Sequence, residues 1–387
     1  MNSLLWHLIG WLVVGVLAGC SSPPQRNDAP SEAASLPQAQ TQTVPAPPQA
    51  ALPSTPRSRW VASRWDDLPG WNDDPVHEAW EALLRNCERP GVMFARHCPD
   101  VRRLSIADPN EQRAWLMTRF LPYRLESAEG QPQGLLTSYY EPVFEASRVR
   151  RPGFETPLYA PAPGLENLRR NGRSWYTRRE IETLSEAREA LRGREIAWLA
   201  DPVDAMVLHI QGSGRLRVNE PDGSTRTVRL AFAASNEQPY QSIGRWLLDQ
   251  GLVRDATWPG IKAWLAANRH RTQELMWTNP RFIFFREEAL PDPSEGPRGA
   301  QGVPLTAGRS VAIDPQSVPY GTPLWLVSDG PTQILRRLVV AQDTGSAIVG
   351  AVRADFFAGT GDAAGQLAGR TRQSLRLWAL WPLQTSP

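Results

Sequence analysis

Apolar and polar positions alternate along this chain in short blocks divided by glycine, proline and small polar residues. The clearest block is Leu338 to Gly361. Leu338, Val339, Val340 and Ala341 form a run rich in β-branched residues and read as a buried strand. Asp343 stands just past its end, followed by the small-residue turn Thr344-Gly345-Ser346. A second apolar run, Ala347 to Val352, leads to Asp355 and then to Phe356 and Phe357. Further strands are predicted at Gly134–Glu141, Thr225–Phe232, Asn279–Arg286, Ser310–Ile313 ending in Asp314, Pro323–Val327, Ile334–Ala341 and Ser374–Ala379. Asp204–Val218 reads as a hairpin, an apolar strand turning at Gln211-Gly212-Ser213-Gly214 into a second strand.

Helix starts are fewer. Asp74-Pro75 and Asp108-Pro109 pair an N-cap carboxylate with proline in the first turn. Thr177 with Glu180 forms a capping box. Ser242 precedes a helix at Ile243–Gln250, and Thr257 opens another before a helical region ending at Trp277. No internal repeat is visible, and the prediction is a mainly β protein with some α.

The first residues differ from all of this. Leu4 to Leu17 is largely apolar but short for a membrane span. It ends in Leu17-Ala18-Gly19-Cys20, the form of a bacterial lipoprotein signal, in which the cysteine is lipidated and becomes the N-terminus. An uncleaved anchor is the alternative. Ser21 in the next position directs such lipoproteins to the outer membrane by the usual sorting rule. Ser21–Pro56 holds nine prolines and few large apolar residues, which predicts a disordered or polyproline-like tether. Fully extended, it would reach on the order of 100 Å.

Composition narrows the chemistry. The chain of 387 residues has 42 basic and 40 acidic side chains, so no charge excess argues for nucleic-acid binding. Besides Cys20 there are only Cys87 and Cys98, whose spacing in an exported protein suggests a disulfide. The five histidines show no metal-ligand spacing, and no cofactor is expected. The 16 tryptophans could stack on sugars, although most tryptophans are core residues. Asp343 and Asp355 draw attention because carboxylates among apolar and small residues are costly unless used. Simple bonding to loop amides is the plain alternative.

Five segments in order carry a resemblance: Thr137-Ser138-Tyr139-Tyr140-Glu141-Pro142, Gln211-Gly212-Ser213-Gly214, Asn236 with Pro239-Tyr240-Gln241-Ser242-Ile243-Gly244, Asn279-Pro280 with Phe284-Phe285, and the aspartates Asp314, Asp343 and Asp355. Together they resemble the membrane-bound lytic murein transglycosylase A family, whose C-terminal part is named for three aspartates. The resemblance implies a double-psi β-barrel domain from residues 58–143 and 279–387, a smaller barrel-like β domain inserted at 144–278, and a glycan groove between them. It implies a peptidoglycan exotransglycosylase that acts alone as a monomer, with murein-synthesis or division proteins as partner classes. Asp355 matches the catalytic acid and Asp343 a supporting carboxylate. Thr137, Tyr139, Tyr140, Gln211, Gly212, Ser213, Asn236, Tyr240, Ser242, Thr344, Ala347 and Phe357 fall at substrate-binding positions, and Asp314 is structural. Ser138, Ser346 and Glu237 stand where the family commonly has glycine.

Two other classes remain open from sequence. Asp343-Thr344-Gly345 matches an aspartic-protease signature, but that chemistry needs two such aspartates and the chain holds no second copy in a strand-end setting. A non-catalytic glycan-binding lipoprotein is the other, since fold alone does not fix function.

Overall fold

The computed structural model describes residues 51–383. The signal, Cys20 and most of the tether lie outside the described residues. The strands are β1 (Arg59–Ala62), β2 (Phe120–Glu126), β3 (Gly134–Glu141), β4 (Val143–Ser147), β5 (Thr156–Tyr159), β6 (Glu195–Leu199), β7 (Gly214–Asn219), β8 (Thr225–Ser235), β9 (Ile283–Glu288), β10 (Ser310–Ile313), β11 (Pro323–Asp329), β12 (Ile334–Asp343), β13 (Arg353–Thr360) and β14 (Arg372–Pro382). They form two sheets. One runs β1-β2-β14-β11-β12-β10-β13-β3, and β3 pairs again with β14. That second pairing closes six strands into a barrel, with β1 and β2 as a flange. The pairs β10–β12 and β13–β3 are parallel, and the other rungs are antiparallel. The strand-dominated barrel class expected from the sequence is therefore present.

Both faces of the barrel wall are apolar, which is why its strands read as nearly continuous apolar runs. On β11, Leu324 and Leu326 face the interior with Val339 and Ala341 of β12. Their neighbours Trp325, Leu338 and Val340 face outward onto Trp80, Leu83 and Trp115 of the N-terminal helices. Cys87 and Cys98 are joined by a disulfide within that helical layer. Asp74 does not cap the helix it precedes. Its carboxylate is buried and takes Arg309 Nη1 at 2.8 and 3.0 Å and the Leu338 amide at 3.0 Å, tying the helices to β12.

The second sheet runs β5-β6-β4-β7-β8-β9. Here one expectation fails: Asp204–Ile210 is not a strand. Pro202–Gln211 is a helix, with Asp201 accepting from Val203 N at its start and Gly212 left-handed (φ 78°) at its end. Ala205 and Leu208 fill the concave side of the second sheet. Val203 and Met206 pack on the helices Ile243–Asp249, Trp258–Ala267 and Thr272–Trp277. Burial on two sides removed the polar stripe that would have marked a helix. The expected return to the barrel at residue 279 also shifts, because β9 pairs with β8 in the second sheet. The chain rejoins the barrel only after Glu288.

Candidate active site

Strand register assembles the site. β13 runs parallel to β3 with Asp355 beside Thr137 and Phe357 beside Tyr139. Leu136, Ala354 and Phe356 point into the barrel. Their neighbours Thr137, Tyr139 and Asp355 therefore share the outer face. Thr137 Oγ1 donates to Asp355 Oδ1. Asp355 Oδ2 takes no hydrogen bond from the described residues. Arg353, two residues before Asp355 and so on the same face, donates to Thr137 Oγ1 at 2.8 Å. Sequence reading missed Arg353, although its strand parity with Asp355 was visible.

Asp343, the last residue of β12, is held by three donors. Its Oδ1 accepts the amides of Ala300 and Thr344, both at 2.9 Å, and its Oδ2 accepts Tyr139 Oη at 2.8 Å. Burial pushes its carboxyl up to about 6, against the pull of those donors, and the charge of Asp355 pushes the same way. Burial also raises Asp355, opposed by the Thr137 hydroxyl and the Arg353 charge. The donor-rich Asp343 suits the anion, and the donor-poor Asp355 suits the proton.

A cavity of about 520 Å³ opens over Asp343, and Tyr139, which lines it, shares its strand face with Thr137 and Asp355, which lie beside the lining. Tyr139, Asp343, Thr344, Gly345 and Ser346 line one side, with Gln211, Gly212 and Ser213 opposite. Gln211 Oε1 also accepts the Tyr140 amide at 3.1 Å, linking the helix end to β3. Gly214, next in line, lies so near the Pro142 carbonyl and Leu208 that a side chain would not fit. No tryptophan among the described residues lines the cavity; Phe232, half exposed, does. His209 lines it too, and it is buried and held neutral by burial and by the Arg178 guanidinium 2.7 Å from its Nδ1.

Other expected residues take different places. Tyr140 faces away from Tyr139, with its ring against Gly365. Phe357 is buried under the Tyr139 ring, centroids 5.3 Å apart, and supports it rather than meeting solvent. Asn236 is fully buried. Its amide joins the Tyr176 and Pro280 carbonyls at 2.8 Å and the Phe282 amide at 2.8 Å. Ser242 caps its helix through the Arg245 amide at 3.2 Å, and neither it nor Tyr240 lines the cavity. Ala347 is exposed just beyond the lining. Asp314 accepts the Gly350 and Gln316 amides and Arg57, and these donors hold its carboxyl below the usual range. The two parts are joined by buried Glu141 of β3, which accepts Arg215 of β7 at 2.7 Å and Arg229 of β8 at 2.8 Å.

A closed barrel, a second sheet joined to it through Glu141 and two raised carboxylates, one of them in the cavity wall, are the parts of a glycan-cleaving class of protein. Residues 135–286 match the MltA specific insert domain and residues 309–381 match the 3D domain. The membrane-bound lytic murein transglycosylase A of Vibrio cholerae is 33% identical over 272 residues, covering 67% of this chain and 68% of that one. The solved lytic transglycosylase LtgG of Burkholderia pseudomallei is 42% identical, with a TM-score of 0.59 over 88% of this chain and 100% of that one. The structure of E. coli MltA with bound chitohexaose is 25% identical, with a TM-score of 0.64 over 90% of this chain and 98% of that one. The chain belongs to the membrane-bound lytic murein transglycosylase A family.

Proposed function

We propose that this protein is a lytic transglycosylase of peptidoglycan in which Asp355 is the general acid and base. One observation carries the assignment: Asp355 is raised by burial and has a single side-chain donor, leaving Oδ2 free to carry a proton. Protonated Asp355 gives its proton to the glycosidic oxygen between N-acetylmuramic acid and N-acetylglucosamine. The carboxylate then takes the proton of the C6 hydroxyl of the same muramic ring as that oxygen attacks the anomeric carbon. The product is a 1,6-anhydromuramoyl end, and no water is consumed. Placing the nucleophile in the substrate ring replaces the second carboxylate of ordinary glycosidases. Asp343, anionic above about pH 6, positions Tyr139 and stabilises positive charge as the sugar approaches an oxocarbenium state.

Digestion of purified murein with product masses tests this. Wild type should release anhydro-ended fragments, and Asp355→Ala should release none while keeping its melting temperature. Anhydro products at the wild-type rate from Asp355→Ala would overturn the assignment.

We place the protein on the periplasmic face of the outer membrane, anchored through lipidated Cys20 after removal of residues 1–19. The sequence Leu17-Ala18-Gly19-Cys20-Ser21 supports that reading. So do the relatives called membrane-bound, and no helix among the described residues is long and apolar enough to cross a membrane. Labelling with a fatty-acid probe should be lost in Cys20→Ala.

A further inference from the structure

Four arginines line the catalytic cavity: Arg89, Arg281, Arg286 and Arg298. Among the described residues only Arg286 is ion-paired, to Glu288 at 2.7 Å. Arg89 and Arg298 converge on one loop. Arg298 Nη1 donates to the Gly302 carbonyl at 3.1 Å, and the Arg89 guanidinium lies directly against Gly302. Arg281 comes from the opposite side of the cavity, on the segment leading into β9. It is half-buried and donates to the Gln238 carbonyl at 3.1 Å, and only the charge of Glu237 acts on it favourably. Arg89, Arg281 and Arg298 thus bring three guanidinium groups to one cavity with no ion-paired carboxylate among the described residues, and an anion there would gain charge-assisted hydrogen bonds. The one carboxylate in the cavity lining, Asp343, is already saturated by Ala300, Thr344 and Tyr139.

A neutral sugar chain gives these arginines nothing to pair with. The muramic residues of peptidoglycan do, because each carries an acid at O3: the lactyl carboxylate itself, or the carboxylates of a stem peptide built on it. Resting on the transglycosylase reading above, we propose that Arg89, Arg281 and Arg298 are specificity residues that bind the carboxylate substituents of muramic acid and so set the register of the strand over Asp355. Alternating neutral and acid-bearing sugars would then place a muramic residue, rather than its neighbour, at the acid.

Binding can be read in full-length Asp355→Asn protein, which holds strands without cutting them. Three probes separate the sources: chitohexaose, murein strands stripped of peptide by an amidase, and peptide-bearing strands. Murein strands should bind more tightly than chitohexaose, with the gap closing at high salt. Added separately, Arg298→Gln and Arg281→Gln should each weaken murein binding about tenfold, the scale of one charge-assisted hydrogen bond, and leave chitohexaose within about twofold. Arg298 is exposed, so its variant is safe for folding should Arg281→Gln unfold. Loss on peptide-free strands alone assigns the lactyl carboxylate, which a stem peptide caps as an amide; loss on peptide-bearing strands alone assigns the stem, and loss on both assigns a site that takes either carboxylate. Equal loss on all three probes, or no loss on murein, overturns the proposal. Absence of anhydro products from the wild-type enzyme would instead sink the transglycosylase reading, whatever the binding shows.

Discussion

Tyr139 and Asp343 are joined by a 2.8 Å hydrogen bond, and two residues earlier on the same face of β3 Thr137 donates to Asp355. One strand thus sets both carboxylates of the site, through alternate residues of a single Thr-Ser-Tyr segment. Ser138 between them turns the other way and binds the Phe356 carbonyl at 2.6 Å, pinning β3 to β13. The arrangement separates the roles of the two acids by their donors rather than by their burial.

Thr137 should therefore control the proton on Asp355. Thr137→Val removes the donor that favours the anion, so the Asp355 pKa should rise further. Arg353→Gln acts in the same direction by removing a favourable charge. In both variants the alkaline limb of the murein-cleavage profile should move to higher pH. The maximal rate should fall by about tenfold or more, in the range for a misplaced acid. An unmoved alkaline limb in both variants would mean that the titrating acid is not Asp355.

Asp343 makes a prediction about stability. Its carboxyl is raised to about 6 in the folded chain, above the ~3.9 of an unfolded aspartate. Its contribution is therefore full below about pH 4 and is lost as pH rises through about 6. Asp343→Asn keeps an oxygen for the Ala300 and Thr344 amides and cannot titrate. The melting temperature of wild type relative to Asp343→Asn should fall across pH 4 to 6 and level off above. A constant difference over that window would show that burial does not govern Asp343. Activity should drop in this variant while the barrel remains folded.

Much of the barrel was legible because its strands are buried on both faces and punctuated by glycine and proline. Leu338–Ala341 and Ser310–Ile313 needed nothing else. The same double burial concealed the helix at Pro202–Gln211, where Asp201-Pro202 and Gly212 were the overlooked signals. Thr137, Tyr139, Asp343 and Asp355 were found as residue types, but their pairing rests on the parallel β3–β13 register, which joins segments more than 200 residues apart. Arg89, Arg281 and Arg298 carry no local pattern, and only folding brings them to one cavity.

Asp74 and Arg309 test how the N-terminal helices are fastened to the barrel. Both side chains are almost wholly buried and bonded twice to one another. Asp74→Ala would leave the guanidinium of Arg309 without its buried partner, and its bond to the half-exposed Glu78 cannot replace it. The expected cost is about 3–5 kcal/mol, read by chemical denaturation. A loss below about 1 kcal/mol would show that water or Glu78 takes over.

Glu237 bears on the family difference directly. It is the one non-glycine residue with positive φ among the described residues, at 56°. The resemblance read from the sequence puts glycine at this point. A left-handed conformation costs an ordinary residue about 1–2 kcal/mol. Here Ser235 offsets part of that cost, donating to the Glu237 carboxylate at 2.5 Å and accepting its amide at 3.2 Å. Glu237→Gly removes the strain but adds unfolded-chain entropy worth roughly 0.5–1 kcal/mol. It also loses the carboxylate bond, worth about 1 kcal/mol, so its stability should stay within about 0.5 kcal/mol of wild type. Glu237→Ala keeps the strain and loses the carboxylate bond, so it should destabilise by about 1 kcal/mol. The test is the denaturation midpoint, with wild type and Gly close together and both above Ala, and an Ala variant as stable as wild type would show that the Ser235 bond contributes nothing. Both variants also remove the only carboxylate whose charge favours protonated Arg281. If Arg281 receives a muramic carboxylate, both should bind peptide-free murein strands more tightly than wild type, because the competing anion is gone.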